Sequence, residues 1–259
     1  MSEIIRVDLN SDLGESFGNY RFSDDSGIIQ LTSSVNVACG CHAGDPIVMD
    51  ETVKRVKEAG IQLGAHPGYP DMQGFGRRNM ALSAKEVCAY VVYQIGALDA
   101  FCKRNGVVMQ HVKPHGALYN TAAKDPVIAE AIVEAVKCYN PELILMGLAG
   151  GELVKAGKSA GLRVAEEVFA DRAYEEDGTL RARTKPDSMI TDENESVERI
   201  IRMVKSGEVE AITGKIIPIR ADSICVHGDG AKALKFVEKI RSRLIEEKIQ
   251  ISPLKDFIK

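Results

Sequence analysis

Apolar residues along this chain gather into short runs, and each run breaks into a polar stretch that carries ionisable side chains. Residues 4–9 (Ile-Ile-Arg-Val-Asp-Leu) lead into Asn10, Asp12, Gly14 and Glu15, and residues 35–38 lead into Cys39-Gly-Cys-His42-Ala-Gly44. Residues 61–65 run into His66-Pro-Gly, and residues 107–112 into Lys113-Pro-His115-Gly. Residues 164–170 end at Asp171-Arg172, and residues 224–226 at His227-Gly-Asp229. Runs of this length, bounded by turn residues, read as buried strands.

Helical spacing fills the intervals. Asp45 is a helix N-cap and Pro46 suits the first turn, with Met49, Val53 and Val56 on one face up to Gly60. Ser83 and Glu86 form a capping box before Val87, Val91, Ile95, Leu98 and Cys102, and Gly106 closes that helix. Asp125-Pro126 opens the next, with Ala129, Ile132, Val133 and Val136 apolar. Residues 25–31, 150–160 and 196–205 also read as helices. Asp229 caps a last one, with Leu234, Val237, Ile240 and Leu244 inward. Residues 143–148 are a fully apolar strand, and residues 175–195 are polar and loop-like.

About seven strands, near residues 4, 35, 61, 107, 143, 164 and 224, therefore alternate with helices, the signature of an α/β fold with a parallel sheet. Periodicity alone does not separate a closed barrel from an open sheet. With no Pro/Gly/Ser linker, residues 1–259 are expected to form a single domain. On a parallel sheet the strand C-termini share one face, so the polar stretches converge on a single rim.

Composition narrows the function. The chain has 259 residues, 45% hydrophobic and 27% charged, with a net charge of −4, which argues against a dedicated nucleic-acid binder. The N-terminus lacks a signal peptide's basic start and apolar core, and no run approaches the roughly 18 apolar residues of a membrane span. Six unevenly spaced cysteines suggest no disulfide framework, so a cytoplasmic location is expected.

Four of the five histidines, His42, His66, His115 and His227, fall at strand ends, where they suit acid–base work or a divalent metal, whereas His111 reads as a buried strand residue. Asp12 and Glu15 are candidate metal ligands or a general base, while Asp8 alternates within its strand. Asp171 and Arg172 form either a salt bridge or an orienting pair, and Asp229 either a cap or a site residue. Lys113 could hold an anion or stabilise developing negative charge. Cys39 reads as core. Cys41 beside His42 is a poor nucleophile pair, because adjacent residues in extended chain point apart. Gly157-Lys158-Ser159 ends like a phosphate loop, but Glu152 stands where the loop needs glycine, and the triplet lies late in a helix.

Taken together, several of these stretches resemble the LamB/YcsF family. They are Asp8-Leu-Asn-Ser-Asp-Leu-Gly-Glu15, Asn36-Val-Ala-Cys-Gly-Cys-His-Ala-Gly-Asp45, Gly64-Ala-His-Pro67, Gly74-Phe-Gly-Arg77 and Gln94-Ile-Gly-Ala-Leu98. Val112-Lys-Pro-His-Gly-Ala-Leu-Tyr-Asn120, Glu166-Glu-Val-Phe-Ala-Asp-Arg172 and His227-Gly-Asp229 complete the set. They follow in order over nearly the whole chain. Cys41 departs from the family's usual Phe, and Asp187-Ser188 from its Gly-Ala.

The resemblance implies an irregular seven-stranded (β/α) barrel like those of glycoside hydrolases and carbohydrate deacetylases. It also implies the A-subunit role in a 5-oxoprolinase: ATP-dependent opening of L-5-oxoproline to L-glutamate, with Mg2+ on the nucleotide and separate B and C subunits as partners. Under that reading Lys113 or Arg172 holds the substrate carboxylate or phosphorylated oxygen. Asp12 with His42 or His66 activates water, and His115 or His227 protonates nitrogen. The barrel analogy supplies an alternative, a metal-dependent deacetylase or amidohydrolase with Asp12, His42 and His66 as ligands. A non-catalytic substrate-binding subunit is the other.

Overall fold

A computed structural model describes residues 4–21, 25–226 and 231–259. Six strands follow in chain order: β1 (Arg6–Leu13), β2 (Ser34–Ala38), β3 (Gln62–His66), β4 (His111–Val112), β5 (Ile144–Leu148) and β6 (Val164–Phe169). A short antiparallel hairpin, β7 (Glu208–Glu210) and β8 (Ile216–Pro218), intervenes before β9 (Ser223–Cys225). Strand β9 runs parallel to both β6 and β1. The sheet therefore closes into a seven-stranded parallel barrel, with one further strand, β10 (Gln250–Ile251), beside the start of β1.

The helices occupy the intervals expected of parallel crossovers: α1 (Asp25–Ile29), α2 (Pro46–Ala59), α3 (Ala84–Asn105), α4 (Gly116–Ala122), α5 (Pro126–Tyr139), α6 (Glu152–Ser159), α7 (Glu193–Ser206) and α8 (Ala231–Glu246). Their ends follow local chemistry. Asp45 accepts from the backbone amides of Ile47 and Val48, and Ser83 and Glu86 complete their capping box. Asp125 caps α5, and Gly60 and Gly106 adopt the left-handed conformation that ends α2 and α3. The apolar stripes of α2, α3 and α5 meet the outward faces of the strands. Val35, Val53, Val91, Ile95, Leu98 and Ile132 are among the fully buried side chains, each contributing about 1.5–3 kcal/mol of hydrophobic stabilisation. No helix among the described residues is long and apolar enough to cross a membrane.

The structure corrects several boundaries. The strand begins only at His111, although the Gln110 backbone already bonds to Leu63 and Ile144 on either side. Helix α7 starts at Glu193, because Asp192 caps it. The hairpin β7–β8 and strand β10 lie in segments whose alternation is too short to read. The expected cap at Asp229 falls outside the described residues.

The barrel interior is polar, which sets it apart from a core of stacked aliphatics. Asn10 on β1 reaches Glu167 on β6, His111 on β4 reaches Asn36 on β2, and Lys113 after β4 reaches Cys225 on β9. None of these strand pairs is adjacent in the sheet, so the bonds cross the lumen. Asp8, deeper in β1, accepts from Ser33, Ser34 and Ser223. Burial raises its carboxyl to about 6, against the lowering pull of those three hydroxyls. A small apolar cluster, Ile144, Met146 and Ala165 with Leu254 and Ile258 from the C-terminal segment, packs separately from the main core. Gly64 is required in β3, since a Cβ there would overlap the His111 ring and lie 2.5 Å from the residue's carbonyl oxygen.

Candidate active site

The strand C-termini deliver the reactive side chains to one place. Asp12 stands near the end of β1, Glu15 follows just after it, and His42 lies on the loop between β2 and the Asp45 cap. His66 is the last residue of β3. Lys113 and Pro114 leave β4 in extended backbone, and His115 occupies the position before α4. The rings of His42 and His115 stack at 3.8 Å, and His66 stands edge-on to both.

Lys113 organises the inner half of the site. Its ammonium lies 3.0 Å from Asp12 Oδ1, 2.7 Å from Glu167 Oε1 and 3.2 Å from Asn10 Oδ1. Burial alone would discharge it, but Asp12, Cys225 and Glu167 outweigh that and hold its pKa well above the ordinary lysine value. Asp12 Oδ1 also accepts from Asn36, and its Oδ2 lies 3.3 Å from His66 Nε2. The lysine's donors are thus already directed at protein oxygens. That placement suits holding Asp12 ionised better than gripping a substrate anion.

The outer half is a histidine cluster. His42, His66 and His115 have 0%, 1% and 6% of their side-chain surface exposed, whereas Asp12 and Glu15 retain 17% and 16%. The carboxylates therefore form the approach to the cluster. Burial drives the pKa of His42 well down, with the positive fields of His115 and His66 adding to it, and burial likewise brings His115 to about 3. One ligand atom each from Glu15, His42, His66 and His115 lies within 4.8 Å of all the others, a set able to hold a metal ion. The cluster contains His42 and His66 of the sequence-based ligand set together with Glu15 and His115, and Asp12 lies beside it, 3.3 Å from His66 Nε2 and engaged with Lys113.

The loop after β3 covers the cluster. The Phe75 carbonyl accepts from His115 Nε2, its ring lies edge-on to His42 and His115, and Arg77 sits 4.9 Å from that ring's centre. Phe75 takes a left-handed φ of 54°. Gly76 follows at 60°, and a Cβ there would come 2.7 Å from His42 Cβ and 2.8 Å from His115 Cδ2.

The remaining candidates lie elsewhere or beyond description. Arg172 is buried at the β6 end, where it donates to the Arg181 carbonyl, and burial lowers its pKa to about 10. Asp171 lies just past β6, with an electrostatic reach to Cys225. His227 and Asp229 fall outside the described residues. Burial pushes the Cys39 and Cys41 thiols up, as befits packing rather than nucleophilic roles. Lys158 lies inside α6, paired with Glu166. Sequence reasoning misses Glu167 and Tyr119 as individual site residues. The pair Glu166-Glu167 in the middle of an otherwise apolar parallel strand is the available signal for the first.

A closed parallel barrel with a buried histidine–carboxylate–lysine site at its strand C-termini defines a (β/α) barrel of the kind that carries its chemistry on that face. The chain belongs to the LamB/YcsF family, whose profile matches residues 7–259. A relative from Clostridium beijerinckii, named as the A subunit of 5-oxoprolinase, is 61% identical over 249 residues, covering 96% of this chain and 98% of its own. One of the same name from Pyrococcus abyssi is 54% identical over 254 residues, covering 98% of this chain and 100% of its own. The crystal structure of the lactam utilization protein from Thermus thermophilus superposes with a TM-score of 0.90 at 46% identity, covering 95% of this chain and 99% of that one.

Proposed function

We propose that this chain is the A subunit of an ATP-dependent 5-oxoprolinase, opening the lactam of L-5-oxoproline to L-glutamate with B and C partner subunits. The observation that carries the reading is the Asp12 carboxylate, paired to Lys113 at 3.0 Å and 3.3 Å from His66 Nε2, in a chain 61% identical to a protein bearing that name.

A lactam is a stable amide, so its opening needs activation. In this reading the γ-phosphoryl group of ATP, carried with Mg2+, passes to the amide oxygen. Water then adds to the ring carbon and loses a proton to Asp12, whose ionised state Lys113 maintains. The C–N bond breaks as nitrogen takes a proton, for which His115 and His227 are the candidate donors. A second water splits the acyl phosphate to carboxylate and phosphate. A divalent cation belongs, in this reading, to the Glu15–histidine cluster. When bound it supplies Lewis acidity toward an acyl or phosphoryl oxygen. Arg172 and Asp171, at the neighbouring strand end, remain candidates for contact with the substrate's own carboxylate.

The test is glutamate release from 5-oxoproline and ATP by the chain alone and with its B and C subunits. Turnover only in the mixture is expected. No turnover with all three folded and associated would overturn the reading, and chelator-sensitive release of acetate from an N-acetylated sugar would then favour the deacetylase alternative.

A further inference from the structure

Tautomers decide what the histidine cluster can hold. His66 Nδ1 lies 2.8 Å from the Lys113 carbonyl, and His115 Nε2 lies 2.8 Å from the Phe75 carbonyl. A carbonyl oxygen only accepts, so each of these nitrogens carries the ring's proton. The opposite nitrogens, His66 Nε2 and His115 Nδ1, then both present lone pairs, yet they face one another at 3.0 Å. Two neutral imidazoles cannot bond across that gap. A shared cation resolves the conflict, either a metal ion or a second proton on His66, whose Nε2 also lies 3.3 Å from Asp12 Oδ2.

The surroundings specify what. His115 Nδ1 and His42 Nε2 each lie 3.6 Å from Glu15 Oε1. Neither nitrogen of His42 makes a hydrogen bond, although the ring is buried and turned toward the cluster. Donor atoms around one tetrahedral ion, with bonds of about 2.1 Å, stand about 3.4 Å apart, between the 3.0 Å of the His66–His115 pair and the 3.6 Å from Glu15 to His42 and His115. Backbone carbonyls on the far nitrogens fix the tautomers that ligation requires, as protein groups behind metal ligands usually do. Three imidazoles with one carboxylate suit a borderline transition ion of the Zn2+ class, whereas Mg2+ prefers an all-oxygen shell.

We infer that Glu15, His42, His66 and His115 form a binding site for one divalent transition-metal ion, with Asp12 outside the ligand set. The inference rests on the proposed function only for what the ion would do there; binding itself is independent of it. It also divides the labour of the rim. With His115 a ligand, the proton for the leaving nitrogen falls to His227, and Asp12 keeps its role as base.

The experiment is calorimetric titration of chelator-stripped protein with Zn2+, paired with Co2+ absorption spectra, in the absence of 5-oxoproline, ATP and partners. One Zn2+ per chain is expected, undisplaced by millimolar Mg2+, together with visible Co2+ bands of a nitrogen-rich site. His42→Ala should weaken binding at least about 100-fold. Glu15→Gln, which keeps shape and volume, should also weaken it and serves if the alanine variant does not fold. Less than a fifth of an equivalent bound, or unchanged affinity in both variants, would overturn the inference. Absence of Zn2+ binding by a chain that still supports glutamate release in the complex would overturn it while leaving the lactam reading intact. Stoichiometric Zn2+ without lactam turnover would do the reverse.

Discussion

Tyr119 donates its hydroxyl proton to Glu167 Oε2 at 2.7 Å, while the other oxygen of Glu167 holds Lys113 at 2.7 Å. The phenol and the carboxylate thus anchor from behind the lysine that faces Asp12. Burial raises the Tyr119 pKa well above its usual value, and the neighbouring Glu167 charge reinforces it, so the phenol remains a donor. Removing the Glu167 charge breaks the more deeply buried of the two lysine pairs and leaves Lys113 with Asp12 as its remaining counter-charge. Glu167→Gln should therefore cost about 3 kcal/mol of unfolding free energy in urea. Tyr119→Phe removes one hydrogen bond to a charged group and should cost about 2 kcal/mol. Equal, small losses in both variants would show that Glu167 does not hold Lys113.

Acid stability should report the buried polar interior. His111 donates from Nε2 to Asn36 at 2.7 Å, and burial, aided by the Lys113 charge, brings its pKa to about 3. An unfolded histidine takes a proton near 6.5, so this contribution is fully present above that pH and is lost as pH falls toward 3. It amounts to about 2 kcal/mol between pH 7 and 5. Asp8 runs oppositely. With its folded pKa raised to about 6, its contribution is fully present below 3.8 and is lost as pH rises through 6. His111→Gln should flatten the stability loss between pH 7 and 5, and Asp8→Asn should deepen it. Urea midpoints at pH 7, 6 and 5 check both signs.

Much of this arrangement is legible in the chain itself. Strand ends can be read because apolar runs stop where a chain meets polar loops, and caps such as Asp45, Ser83 and Asp125 mark helix starts chemically. That places His42, His66, His115, Lys113 and Asp12 on one face. The lumen is harder. Asp8, Asn10, Asn36 and His111 alternate with apolar neighbours as half-buried strands do, and nothing local says that their polar side points into a closed barrel. Glu167 stands beside Glu166, and nothing local says which of the two turns into the lumen. The convergence of Glu15 and His115 with His42 and His66, and the contact of Lys113 with Asp12 across 101 residues of sequence, are likewise not local properties.

The loop over the cluster should be sensitive to single methyl groups. Gly76 has a φ of 60° and presses against the His42 and His115 side chains. Gly76→Ala adds strain and displaces the rings, so glutamate release by the assembled complex should fall about 100-fold, the cost typical of an ångström-scale misplacement. The global unfolding transition should move little, because this loop lies outside the barrel core. Gly64→Ala offers the contrast. Its Cβ would overlap the His111 ring, and the protein should lose about 3 kcal/mol of stability or fail to fold. Circular dichroism melts beside turnover assays separate the two.

Asp12 carries the chemical prediction. Its Oδ1 accepts from Asn36 and Lys113, and its Oδ2 faces His66. Asp12→Asn keeps the shape and an oxygen for the lysine, which still has Glu167 as a full counter-charge, so the fold should survive. Basicity is what disappears. Turnover of 5-oxoproline by the complex should drop by about 100- to 10,000-fold with little change in KM, because a general base acts on the transition state rather than on binding. A rise in KM at unchanged kcat would instead make Asp12 a substrate-holding group. Full activity in Asp12→Asn would remove it from the reaction, and the search for the base would move to His227 and to Asp171, just past β6.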